Sequence, residues 1–179
     1  MKKRISWLII LIMLILTASV GVTLAWIVAS SRPVVNTFTV GNIELVLTEN
    51  TGKSYKMIPA VNIKKDPTVT VKAGSDSCWL FVKAEKSTEF DSYMTYEMAD
   101  GWLPVEGEDN VYFRQVEGSF EDQIFAVLKE NRITVKETIT EEELDAVQAN
   151  PTLTFSAYAI QAEGIYTVQT AWQNLTKEE

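Results

Sequence analysis

The chain has 179 residues, 46% of them apolar and 22% charged, which is enough for about one folded domain and excludes a disordered chain. Its 16 Lys and Arg stand against 24 Asp and Glu, a net charge of −8, so a phosphate backbone is repelled and no nucleic-acid partner is expected. There is no His and one Cys, which excludes a Ser-His-Asp or Cys-His nucleophile, an H-E-x-x-H metal site and an intrachain disulfide.

The chain opens on Met1-Lys2-Lys3-Arg4 and then runs apolar from Ile5 to Leu16, interrupted only by Ser6. Thr17, Ala18, Ser19 and Gly21 thin the hydrophobicity, and Thr23-Leu24-Ala25 puts small residues at −3 and −1 of a cut before Trp26. A basic start, an apolar middle and a small-residue exit are the parts of a secretory signal peptide. Residues 1–25 are read as that signal, with cleavage between Ala25 and Trp26. Ile5 to Ala29 carries no charge and is also long enough to span a bilayer of about 30 Å, so an uncut anchor competes with cleavage. Both readings place the remainder outside the cell and confine membrane contact to this segment.

Residues 26–40 form the next unit. Cleavage would free an apolar amino terminus, Trp26-Ile27-Val28-Ala29, followed by Val34, Val35, Phe38 and Val40. Such a segment can pair with an open sheet edge on a neighbouring copy, which makes these four residues the candidate polymer contacts. It can equally fold onto its own domain as an edge strand, and the residues leave both readings open.

From 41 to 179 the pattern is that of one β-rich domain. Val34 to Val40 and Asn42 to Thr48 are β-branched runs split by Gly41, and Ile43, Leu45 and Leu47 share one face. Pro67 to Val71 and Cys78 to Glu85 predict a long hairpin across Gly74-Ser75-Asp76, and Thr95 to Met98 with Trp102 to Val105 a second one around Asp100-Gly101. Val111 to Val116, Ile133 to Thr138 and Thr152 to Ala162 complete the strands, the last with Leu153, Phe155, Ala157 and Ala159 on one side. Thr140-Glu141-Glu142-Glu143 is a capping box opening a helix, with Ile139 and Leu144 as its staple and Asn150-Pro151 as its end. Ile165, Val168, Trp172 and Leu175 recur at helical spacing. The expectation is an all-β fold in the main, an antiparallel jelly-roll-like sandwich with one or two short helices, preceded by a signal peptide.

Few residues point to chemistry. The three acids at 141–143 are explained by the cap, and Glu106 to Asn110 lacks the spacing of a calcium loop. Cys78 starts the inward face of a strand and reads as a buried, inert thiol. Trp79, Trp102, Tyr112 and Trp172 read as core or cross-strand aromatics, with a carbohydrate-stacking surface as the alternative. Lys64-Lys65-Asp66-Pro67 reads as a solvated start to a strand. No catalytic residue, cofactor or metal is expected.

The basic start, Gly21-Val22-Thr23-Leu24-Ala25-Trp26 and Asn36-Thr37-Phe38-Thr39-Val40-Gly41-Asn42-Ile43 together resemble the exported proteins of Gram-positive bacteria processed by the signal peptidase SipW. That family includes the biofilm matrix fibre protein TasA and the camelysins. Met57-Ile58-Pro59, Lys65 to Gly74, Cys78 to Lys83 and Val111-Tyr112-Phe113-Arg114 look like a subgroup of it. The likeness is strongest over residues 1 to 48 and beyond 115 is mostly a strand pattern. Val28 stands where many members have an acidic residue or Asn, and Ala60 where the subgroup usually has Gly. The resemblance implies a jelly roll, secretion to the matrix or cell surface, a SipW-type peptidase as processing partner, and self-association into filaments in which the amino-terminal strand completes the next subunit's sheet. Camelysins have been classed as metallopeptidases, but a chain without His is poorly equipped for zinc, and that activity is not carried over. The expected function is a non-enzymatic fibre subunit. A monomeric adhesin or glycan-binding module is the alternative, and a secreted metallopeptidase the remote one.

Overall fold

The computed structural model describes residues 36–51, 57–145 and 151–177. The signal segment, the cut between Ala25 and Trp26, and Val34 and Val35 lie outside them. No helix among the described residues is long and apolar enough to cross a membrane.

The fold is mostly β. Its strands are β1 (Asn36–Val40), β2 (Leu45–Thr48), β3 (Asn62–Lys64), β4 (Thr68–Val71), β5 (Cys78–Lys86), β6 (Met94–Met98), β7 (Leu103–Pro104), β8 (Val111–Val116), β9 (Gln123–Ala126), β10 (Leu128–Val135) and β11 (Leu153–Gln161). Helices α1 (Phe90–Tyr93), α2 (Glu141–Asp145) and α3 (Val168–Thr176) punctuate them. The strands form one five-stranded sheet, β1-β11-β5-β8-β7, and two three-stranded sheets, β3-β10-β6 and β2-β4-β9.

Strand periodicity explains the layers. Cys78, Leu80, Val82 and Ala84 of β5 and Leu153, Phe155, Ala157 and Ala159 of β11 face one way. They share one buried cluster with Leu45 and Leu47 of β2, Val69 and Val71 of β4, Ile63 of β3, and Ile133 and Val135 of β10. The alternate residues Trp79, Phe81, Tyr158 and Ile160 face the other way and meet Ala171, Trp172 and Leu175 of α3. The five-stranded sheet is thus apolar on both faces, which is why β5 and β11 read as nearly unbroken hydrophobic runs.

Both helices expected from the sequence are present. Glu143 donates its backbone N–H to Thr140 Oγ1 at 3.2 Å, and Thr140 returns its N–H to Glu143 Oε2 at 2.9 Å, closing the capping box. Residues 146–150, where that helix was expected to end, lie outside the described set. On α3, Thr167 caps Thr170, and Trp172 and Leu175 are buried.

Three expectations need correction. Neither predicted hairpin forms. β4 and β5 belong to different sheets, because the turn between them is tied to the β1–β2 connection by Asp76 N–H to Asn42 O and Glu44 N–H to Ser75 Oγ. β6 and β7 also belong to different sheets, and the true hairpin is β7–β8, with Leu103 opposite Phe113. The sheet is also not wholly antiparallel, since β1 runs parallel to β11 with Asn36 opposite Ser156 and Val40 opposite Ile160. Finally, Lys65 is not solvated. It is buried, and its ammonium pairs with Glu49 at 2.7 Å. Beside it, burial favours a higher pKa for Asp66, but donors from Thr51 and Asn50 together outweigh it and hold the carboxyl below its ordinary value.

Candidate functional site

Unpaired strand edges are where a β protein can meet a partner strand. Asn36-Thr37-Phe38-Thr39-Val40 has the alternation and β-branching of a strand, and it forms the β1 margin of the five-stranded sheet. The Phe38 ring stacks on Tyr158 of β11, centroids 4.9 Å apart and planes 14° apart, and still leaves 40% of the residue exposed. Val40 packs against the cluster around Trp79 and α3. Gly41 then reverses the chain at φ +102°, where a Cβ would lie 2.8 Å from Gln161. Of the four candidate contacts, Phe38 and Val40 therefore sit on their own chain's sheet, on the strand that forms its margin among the described residues.

The other margins differ in chemistry. β3 carries Lys64 and β6 carries Glu97, charges that blunt an edge. β7 is two residues long and ends in Pro104. β9, Gln123-Ile124-Phe125-Ala126, like β2 on the opposite margin of its sheet, carries neither charge nor Pro, and Ile124 is 67% exposed. The Trp102 indole N–H donates to Ala126 O at 2.8 Å, so that carbonyl turns away from β4. By strand alternation the backbone groups of Ile124 turn the same way. Phe120, 98% exposed, lies just before this strand. Sequence reading missed β9. Its Gln and Ala beside one Ile and one Phe make no β-branched run of the kind that marks β2 and β4.

The aromatic candidates belong to the interior. Trp79 is buried and donates its indole N–H to Ile165 O, Trp102 is buried, and Trp172 packs on Phe81 and Tyr158. Tyr112 is half-buried and hydrogen-bonded to Tyr96, whose own phenol is pushed up in pKa by burial first and by Tyr112 second. They do not form the carbohydrate-stacking surface considered as the alternative. Burial likewise pushes the Cys78 thiol up to about 12, which suppresses the reactive thiolate.

The acidic segments stay apart. Glu142 and Glu143 sit exposed at the start of α2, and Glu106 to Asp109 form the exposed β7–β8 loop. Among the described residues no group of three or more His, Cys, Asp or Glu is placed to hold a metal. Compared with known proteins, the chain matches no family model, no curated protein and no solved structure.

Proposed function

We propose that the chain is a secreted structural protein that assembles into cell-surface or biofilm-matrix filaments by strand addition between subunits. In this reading a SipW-type peptidase cuts it between Ala25 and Trp26, and the body is a jelly-roll sandwich. The supporting observation is β1, an uncharged amino-terminal strand joined to the fold along one margin and followed at once by a Gly41 hinge. The contacts β1 makes with β11 of its own chain are available to β11 of another, because the register and the Phe38–Tyr158 stack depend only on the two strands. Where each copy donates to the next and not back, such exchange is head-to-tail and yields open fibres, whereas reciprocal exchange closes a dimer. Backbone hydrogen bonds then supply affinity, and alternate apolar side chains supply register.

The test compares the chain from Trp26 onward, which holds every described element, with one beginning at Gly41, both by negative-stain microscopy. Filaments from the longer form only are expected. A longer form that stays monomeric at high concentration overturns the proposal.

A further inference from the structure

Arg114 is the feature that neither the core nor strand addition uses. It lies on β8 opposite Leu80, on the face that carries Tyr112 and Val116 into the main core. Its guanidinium carbon is 4.1 Å from the centroid of the Phe125 ring and 5.3 Å from that of Trp102. Gly101 closes the same space, since a Cβ there would lie 2.7 Å from an Arg114 terminal nitrogen. The head group is therefore clamped, half-buried, between Phe125 of β9, Trp102 just before β7 and the Gly101 turn.

Among the described residues the clamp holds no anion. The other described arginine, Arg132, pairs with Glu130, and the buried Lys65 pairs with Glu49. No described carboxylate lies within ion-pair distance of Arg114, and its guanidinium makes no hydrogen bond to a described residue. Burial alone shifts its pKa, downward, with no neighbouring acid to oppose it. In a chain with 24 acidic residues a half-buried cation left without one stands out. A desolvated charge is costly unless paired. Ring stacking supplies part of the compensation. It also fixes the plane of the fork, whose remaining N–H groups match the two oxygens of a carboxylate.

We propose that Arg114, held between Trp102 and Phe125 and given room by Gly101, is a seat for a carboxylate from outside the fold. The group can be a free small carboxylate or an acidic side chain of another copy, and the chemistry of the seat is the same. This inference does not depend on the assembly reading.

The chain from Trp26 onward contains three arginines, Arg32, Arg114 and Arg132, so their side-chain Nε–Hε signals are separable by NMR. Titration with sodium propionate at constant ionic strength is expected to move the Arg114 signal saturably and leave the other two in place. Arg114→Lys keeps the charge but not the planar fork, and is expected to abolish the response, read instead on the Trp102 indole signal. Phe125→Leu keeps the apolar contact but not the ring, and is expected to weaken the response several-fold. A concentration series without propionate separates the sources. Movement of the Arg114 signal with protein concentration identifies a carboxylate of another copy, and constancy with a propionate response identifies a free ligand. An Arg114 signal that moves in neither titration, or moves only in step with Arg32 and Arg132, overturns the proposal.

Discussion

The two three-stranded sheets have matching inner faces and opposite outer ones. Inside, Leu45, Leu47, Val69 and Val71 of β2-β4-β9 do what Ile63, Ile133 and Val135 of β3-β10-β6 do, and all enter one cluster. Outside, β3-β10-β6 presents Asn62, Lys64, Thr95, Glu97, Lys129 and Arg132. The register of β2-β4-β9 instead aligns Val46, Thr70 and Ile124 in one row and Thr48, Thr68 and Ala126 in the next, without a charge among them. The inner faces answer to folding, which needs the same apolar volume in both. The outer faces answer to what each sheet meets, and in a chain of net charge −8 an uncharged face is where like-charged copies approach at least electrostatic cost.

If the inner faces are equivalent, truncating either hurts alike. Leu47→Ala and Ile133→Ala are each expected to cost about 3–4 kcal/mol in urea unfolding. A large gap between them would show that one sheet is dispensable. Next in size is the Lys65–Glu49 pair, which joins the end of β3 to the end of β2. Glu49→Gln strands the buried ammonium and should cost about 2–3 kcal/mol, less than a fully enclosed pair because some water reaches it. The outer faces give smaller folding effects and a different readout. Ile124→Lys and Thr95→Lys should each leave stability within about 0.5 kcal/mol. Only the first is expected to lower self-association in sedimentation, and equal effects would erase the contrast between the faces.

The smallest effect is a pH dependence at Glu97 on the charged sheet. Glu97 is held below the usual carboxylate range by its hydrogen bond from Lys129 and then by that ammonium's charge. Its folded value lies below its unfolded one, so its contribution is complete above the ordinary carboxylate range and fades as pH falls through the folded value. Wild type and Glu97→Gln should therefore converge in stability at acid pH and differ slightly near neutrality, less so in high salt. No such convergence is expected for Ile124→Lys.

Local chemistry was legible in the sequence where one residue type fixes one geometry. The capping box at Thr140 and Glu143, the burial of Cys78, and the span Val111–Val116 follow from neighbours a few positions away. Pairing was not legible, because it is decided by where turns carry the chain. Lys72 to Ser77 looks like a hairpin turn yet hands the strand to another sheet through bonds to Asn42 and Glu44. β10 was read only from Ile133 because Glu130 and Asn131 both take positive φ and shift the register between Leu128 and Ile133. That bulge breaks the alternation a reader follows. Arg114 was not legible for a related reason, since whether Gly101, Trp102 and Phe125 close around it is decided by how the turns before and after β8 carry the chain.

The parallel pairing of β1 with β11 also orders events in time. Asn36 faces Ser156, so β1, the first strand among the described residues, finds its partner only after β11, the last of them, has been made. Contacts this distant in sequence are slow to form, because the loop must close before they stabilise anything. Refolding should then show the Phe38–Tyr158 stack appearing after the β5–β8 ladder, as a late step.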